Sequence, residues 1–391
     1  MERMMAIKPI LTPWLTFLFS VACACSVANV YFAQPLLESM ADSLNVQPGL
    51  IGMVVTVTQT GYAVGLLFLV PLGDLLNRKK LIITQVLLSA LALIIAGFSW
   101  HWASLLAAMF FVGLMAVVVQ VIVAYTALLA APQWQGKAVG TVTSGVVLGI
   151  LLARFIAGLI ADFSGWRAVY LSSACLMLIM AAVLGKAIPA TPLAPLKASY
   201  RTLMLSLIRL FVADATLRVR SVFALLIFAA FSMFWTSMVL PLSERSLSHT
   251  QIGLFGLAGI AGALAASKAG LWADRGMGHR TTGIALALLT FSWLPIAFAE
   301  TSLVLLVLGV ILLDFAVQAV HVTNQSLIFA ARPDAQSRVV GAYMCFYSLG
   351  SASGAIIATQ FYALWGWHAV CLAGAAVSAM ALILWRWLQK Q

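Results

Sequence analysis

The sequence predicts an all-α integral membrane protein of about twelve transmembrane helices, arranged as two pseudo-symmetric six-helix bundles. Three observations carry that expectation. First, 63% of the residues are hydrophobic and only 8% are charged, with a mean hydropathy of +1.06, whereas soluble domains run nearer half apolar and a quarter charged. Second, apolar runs long enough to cross ~30 Å of hydrocarbon as helices fall at roughly 14–37, 48–72, 80–99, 102–131, 137–162, 167–187, 219–242, 250–273, 281–299, 302–331, 338–364 and 368–388. No alternating β-barrel pattern accompanies them, so helices are the expected way to satisfy the backbone in lipid. Third, the chain repeats itself. Pro132, Gly140, Gly149, Gly165 and Trp166 recur 201 positions later as Pro333, Gly341, Gly350, Gly366 and Trp367. Asp74 and Asp274 lie 200 apart, and Pro35 and Leu36 answer to Pro241 and Leu242 after a small change in loop length. A constant offset over so long a span means two copies of one multi-helix unit.

Taken in order, the opening residues have the charged-then-apolar look of a secretory signal. The apolar run continues past Cys25 to Leu37, and removing it would leave the span near 219 without a partner, so it is expected to stay. The first span carries Asn29, Tyr31 and Gln34 ahead of Pro35, which frees a carbonyl and can kink the helix. These three polar side chains are candidate cavity liners. After the second span comes VPLGDLLNRKKL, with Asp74, Arg78 and Lys79; after the eighth comes GLWADRGMGHR, with Gly270, Asp274 and Arg275. An aspartate at such a place can satisfy the partial positive charge of a facing helix N-terminus. In the fifth span Gly145, Gly149 and Gly158 permit close helix approach. Between the bundles, Pro189, Pro192 and Pro195 lead into a basic segment, in which Tyr200 to Val212 mixes Arg with Leu, Ile and Phe at helical spacing. An amphipathic helix lying on the membrane surface is expected there. The organisation is therefore a bundle over 1–188, a linker over 189–218 and a second bundle over 219–391. Trp235, deeper than the tryptophans at the span ends, is a candidate for an aromatic wall. The five cysteines fall inside spans without metal or disulfide spacing.

The tenth span carries the polar chemistry. Asp314 lies about 13 residues in from one end, ~20 Å deep at ~1.5 Å per residue, with Gln318, His321 and Gln325 following at +4, +7 and +11. At ~100° per residue these four share a stripe about 60° wide. The repeat copy in the fourth span, Gly113, Val117, Gln120 and Ala124, is mostly apolar, with Gln120 its polar member. An ionisable group in hydrocarbon costs ~2.5–3.5 kcal/mol on insertion scales and marks a functional candidate. Asp314 is the proton-carrying or cation-recognising candidate, or else a permanently paired structural charge. His321 is the relay candidate, because an unperturbed imidazole titrates near neutrality. Arg154 in the fifth span has two readings, a counter-ion for Asp314 or a binder of an anionic group on the substrate.

The net charge of +11 would suggest nucleic acid in a soluble protein, but its distribution reports topology instead. With the N-terminus in the cytoplasm, eighteen of the 22 Lys and Arg lie inside, which is the positive-inside pattern and makes both termini cytoplasmic. Phosphate loops, metal-ligand clusters and nucleophile–base arrangements are absent from the sequence, so neither an enzyme nor a metal or cofactor site is expected.

Two six-span repeats, a basic central loop and the duplicated loop motif together resemble the major facilitator superfamily, a match covering nearly the whole chain. The family's loop signature, Gly-x-x-x-Asp-Arg-x-Gly-Arg-Lys, keeps Asp74, Arg78 and Lys79 in the first copy, and Gly270, Asp274 and Arg275 in the second. The resemblance implies that this motif latches the inner gate. It also implies that the first, fourth, seventh and tenth spans line a central cavity, with Asp314 and its stripe facing substrate. Gly136, Gly145 and Gly149 are similar to the start of the glycine-rich signature of the drug:proton antiporter branch, which then fails at Ile150, Ala153 and Arg154. The implied function is proton-coupled efflux of a small organic molecule by a monomer in the bacterial inner membrane. Proton-coupled uptake of a metabolite and a non-transporting membrane sensor are the alternatives. The implied partners are the substrate, protons and the lipid bilayer.

Overall fold

The computed structural model describes residues 11–131, 135–189, 200–260, 277–331 and 336–389. The described residues form helices and turns without strands. The first half comprises α1 (Pro13–Tyr31), α2 (Leu37–Leu44), α3 (Met53–Phe68), α4 (Leu72–Leu75), α5 (Arg78–Gly97), α6 (Trp102–Ala116), α7 (Val118–Leu129) and α8 (Gln135–Ala187). After α9 (Tyr200–Ala213), the second half comprises α10 (Ala215–Ser237), α11 (Val239–Glu244), α12 (His249–Leu254), α13 (Gly278–Ile296), α14 (Leu303–Ala331), α15 (Gln336–Trp365) and α16 (Trp367–Leu388). Eight segments among the described residues are long and apolar enough to cross a membrane. One of them, Ala138–Ala187, has 50 residues. At ~1.5 Å per residue this is more than twice the hydrocarbon thickness, so it must cross twice. Its break is Gly165, at φ 76°.

The repeat is visible in the backbone. Gly366, between α15 and α16, has φ 75° against 76° for Gly165, and L side chains rarely adopt such values. The helix contacts repeat as well. A Cβ on Gly149 of α8 would meet the Ala24 carbonyl of α1, and one on Gly350 of α15 would meet the Leu225 carbonyl of α10. Ala24 and Leu225 are themselves 201 apart, so one offset governs both partners of the contact. α1 thus packs on α8, and α10 on α15, by the same close approach.

Local signals set the ends. Thr12 caps α1, accepting from the Leu15 N–H at 3.2 Å, with Pro13 in the first turn. The helix stops at Tyr31 and a 3-10 turn takes over at Gln34–Leu36, where Pro35 cannot donate a hydrogen bond. The amphipathic helix expected in the linker is α9, with Ile208 and Val212 exposed and Phe211 stacked on Phe346 at 5.1 Å. Two placements are not the ones that a position at a span end or in a basic segment suggests. Trp166 and Trp367 are buried rather than part of an interfacial belt, because their indole N–H groups donate inward, to Ser43 Oγ at 2.9 Å and the Ile296 carbonyl at 3.0 Å. Arg220, counted with the loop charges, is 5% exposed inside α10, within 3.4 Å of Thr282, Asn324 and His279.

The end holding Gly165 and Gly366 is here termed distal, and the end where α1 begins proximal. At the distal end the halves are tied together. The Gly49 carbonyl accepts from Thr359 at 3.2 Å and Gln360 at 2.9 Å. Asp162 of α8 accepts from the backbone N–H groups of His249 (3.0 Å) and Thr250 (2.9 Å) at the start of α12 and contacts His249 Nδ1 at 2.8 Å. The other ring nitrogen of His249 reaches Ser39 at 2.5 Å.

Candidate functional site

Four helices from both halves converge on Arg154. It projects from α8, is 2% exposed, and lays its guanidinium over the indole of Trp235 from α10, 3.8 Å from the ring centroid. Tyr31 of α1 and Phe231 of α10 complete an aromatic surround at 5.2 and 5.8 Å. Arg154 Nε donates to Gln34 Oε1 at 2.6 Å, the residue placed by the break after α1. Trp235 and Gln34 are 201 apart, so the repeat puts an amide on one side of the arginine and an indole on the other.

Trp235 also reaches the carboxylate. Its Nε1–H donates to Asp314 Oδ1 at 3.1 Å, and Asp314, from α14, is 4% exposed. Among the described residues no ion pair joins Arg154 to Asp314, although their charges are within reach of each other. The indole therefore connects the two ionisable groups, by its face to one and by its N–H to the other. Cation–π contacts of this kind are worth ~2 kcal/mol or more when desolvated, and hydrogen bonds to charged groups about 1.5–3 kcal/mol.

A second network begins beneath this pair. The hydroxyl groups of Tyr31 and Tyr347 hydrogen-bond each other across the halves. His321, two turns along α14 from Asp314, contacts the Tyr343 hydroxyl through Nδ1 at 2.9 Å and meets Phe228 edge-on. Asn324 donates to the same hydroxyl at 3.5 Å and in turn accepts from Arg220. Asp314 is buried, whereas Gln318, His321 and Gln325, farther toward the proximal end, are half-buried. The side chains of the stripe are thus less closely covered farther from the distal end.

The remaining expected residues are placed as follows. Gln120 donates to the Tyr62 hydroxyl at 3.3 Å within the first half. Asn29 is fully buried and accepts from Ser173 at 2.6 Å. Arg78 Nε donates to the Gly73 carbonyl at 2.7 Å, and Lys79 Nζ to the Ile188 carbonyl at 2.6 Å, just past the end of α8. Asp74 sits in α4, with its side chain outside the described set. Gly270, Asp274 and Arg275 lie outside the described residues. Sequence reading missed Tyr343, Tyr347 and Phe231, which carry no charge and repeat no motif. It also missed the latch of Asp162, His249 and Ser39, whose members lie in separate connections.

The sequence model of the Major Facilitator Superfamily matches residues 19–242 and again 220–391. The chain belongs to the major facilitator superfamily. Relatives within this superfamily include the uncharacterised transporter YgaY of Escherichia coli K12, 43% identical over 377 residues, covering 96% of this chain and 95% of the relative. The inner membrane transport protein YnfM of Escherichia coli K12 is 27% identical over 262 residues, 66% of this chain and 62% of the relative. Among solved superfamily structures, a bacterial homologue of the human lysosomal transporter Spinster, inward-facing and unoccupied, aligns at TM-score 0.79 and 13% identity over 97% of both chains. The chain is thus a multi-pass membrane transporter of the superfamily type.

Proposed function

We propose that the chain is a secondary active transporter which moves a small organic molecule across the bacterial inner membrane by alternating access, coupled to protons at Asp314. The observation that carries this is the arrangement around Trp235. Two opposite ionisable groups from different halves, 2% and 4% exposed, are linked through an aromatic ring instead of a direct ion pair. Buried charges without a close partner are expensive. Protonation of Asp314 removes one of them and changes what Trp235 and Arg154 can hold. Because Arg154 belongs to one half and Asp314 to the other, that change bears on how the halves meet, as coupling requires. His321 stands on the proximal route between Asp314 and solvent.

The asymmetry of Lys and Arg supports a topology with both termini in the cytoplasm, and the inner membrane accords with the name of the relative YnfM. On that topology the distal end faces outward and is latched, and the polar stripe opens inward. Export in exchange for protons is the first reading, supported by the glycines of the fifth span. Uptake together with protons is the second. What favours it is Arg154, whose Nη2 is buried and, among the described residues, without a hydrogen-bond partner.

A growth panel tests the proposal, with cells expressing wild type, Asp314→Asn or empty vector challenged with toxic and nutrient compounds. Tolerance conferred by wild type and lost in a well-expressed Asp314→Asn variant supports export. New growth on a nutrient, or greater sensitivity, supports uptake. An unchanged Asp314→Asn phenotype makes the aspartate structural, and ligand binding without flux makes the protein a sensor.

A further inference from the structure

We infer that Arg154 is the docking point for a carboxylate, so that the substrate class is small organic acids carried as monoanions with an apolar, preferably aromatic, body. The inference rests on the transporter reading above and, of its two directions, takes the second, movement of the substrate together with protons. Arg154 brings one positive charge to a place that is 2% exposed, yet among the described residues its one hydrogen bond runs from Nε to the neutral Gln34. Its Nη2 is buried with nothing to donate to. An unsatisfied group of that kind in a native core calls for an explanation, and Asp314 does not supply it, being engaged by Trp235 and not paired with the arginine. A planar guanidinium suits a carboxylate, which can accept from two of its N–H groups at once.

The surroundings select the rest of the ligand. Arg154 lines a pocket together with Gln34, Pro35, Trp235, Met238 and Ile252. Apart from the amide and the guanidinium, that lining is an aromatic ring and aliphatic side chains, which suit an apolar body and offer a cation no carboxylate. As it stands the cavity is only about 10 Å³, room for about one water-sized group. A carboxylate with an apolar body therefore reaches Arg154 only when the halves part around this pocket.

This site also sets the sign of proton coupling. A bound carboxylate and the ionised carboxylate of Asp314 are like charges on either side of Trp235, so each disfavours the other. A proton on Asp314 favours the anion, and by reciprocity the anion favours the proton. Among the described residues, the other titratable groups packed around the pair are Tyr31 from α1, Tyr347 and Tyr343 from α15, and His321 on α14 itself. The acid would thus travel as anion plus proton, in one direction, and not in exchange for the proton.

The test is equilibrium binding to the full-length purified protein, read as ligand-induced thermal stabilisation. The probes are benzoate, phenylacetate, indole-3-acetate, lactate and succinate, with benzamide and benzylamine as neutral and cationic counterparts of benzoate. At least one aromatic carboxylate is expected to stabilise wild type where benzamide and benzylamine do not. Arg154→Gln should lose the effect and Arg154→Lys should retain part of it. Asp314→Asn should bind the anion about fivefold or more tightly and lose the gain in affinity that wild type shows as the pH is lowered. Stabilisation by none of the carboxylates, equal stabilisation by benzamide, or anion binding that survives in Arg154→Gln would each overturn the proposal. The first comparison uses only wild-type protein, so a poorly folding variant does not shield the idea. Arg154-dependent anion binding without proton movement in proteoliposomes would remove the proton-coupling reading and leave the anion site standing. Proton-coupled flux of a cation would do the reverse.

Discussion

Trp235 is a single side chain with two duties, and they can be separated. Trp235→Phe keeps an aromatic face for the Arg154 guanidinium but deletes the Nε1–H that reaches Asp314. We expect the variant to fold and to insert, with a loss of about 1.5–3 kcal/mol of stabilisation for the ionised carboxylate. Transport should consequently reach its maximum at a higher pH than in wild type, because the ionised form is the one that loses its donor. An unchanged pH profile in a transport assay would show that the indole N–H does not govern the proton on Asp314. Asp314→Asn should go further and flatten the pH dependence while leaving protein levels intact. Asp314 and Arg154 were legible as candidates because a charge inside an apolar run stands out in any sequence. Their relation to one another was not legible, since contact between α8 and α14 depends on how two bundles dock, and no periodicity within either helix encodes that. Tyr347 and Phe231 stayed hidden for a plainer reason, as aromatic residues within apolar helices look the same whether they pack against lipid, core or a guanidinium.

At the level of helices, the repeat makes paired predictions. Gly149→Ala and Gly350→Ala should each destabilise by about 1–3 kcal/mol, since the new methyl group would meet the carbonyl of Ala24 or of Leu225. Gly140→Ala and Gly341→Ala, another pair at the same offset, have nothing among the described residues within 4 Å of the added Cβ. They should be neutral or slightly stabilising, by up to ~1 kcal/mol, because alanine is the better helix former. Thermal unfolding in one detergent would compare all four. Equal losses at the two kinds of site would mean that helix propensity, not close approach, explains the glycines. The elements themselves were largely readable. Expected spans at 80–99 and 368–388 sit on α5 and α16, and the linker helix expected from Tyr200 to Val212 is α9 at Tyr200–Ala213. What the hydropathy pattern could not show was that Trp166 and Trp367 turn inward, because a tryptophan at a span end serves the interface and the core equally well in one dimension.

For the whole molecule, the distal latch is the part that must give way in an alternating-access cycle. Asp162 holds two backbone N–H groups of the other half, and His249 bridges from it to Ser39. Asp162→Ala should leave each half intact and weaken their closure by about 1–3 kcal/mol, raising the open population roughly 5- to 150-fold. Spin labels at the exposed positions Phe163 and Ser246, on either side of the latch, would report this as a new long-distance population. If the distance distribution does not change, the halves are held there by packing alone.

The repeat has a further consequence for the way this protein could have diverged from two equal halves. Counting back 201 positions from Asp314 gives Gly113, and counting forward from Arg154 gives Ala355. Neither place has room for its counterpart's charge. A Cβ at Gly113 would meet the Thr58 carbonyl, and the Ala355 carbonyl lies where a Cβ on Gly52 would go, with Ala355 itself fully buried. Each half has committed to packing the site that the other uses for charge. An ancestral protein with identical halves could not have carried this acid–base pair and these helix contacts together, so the two halves are complementary parts and cannot exchange roles.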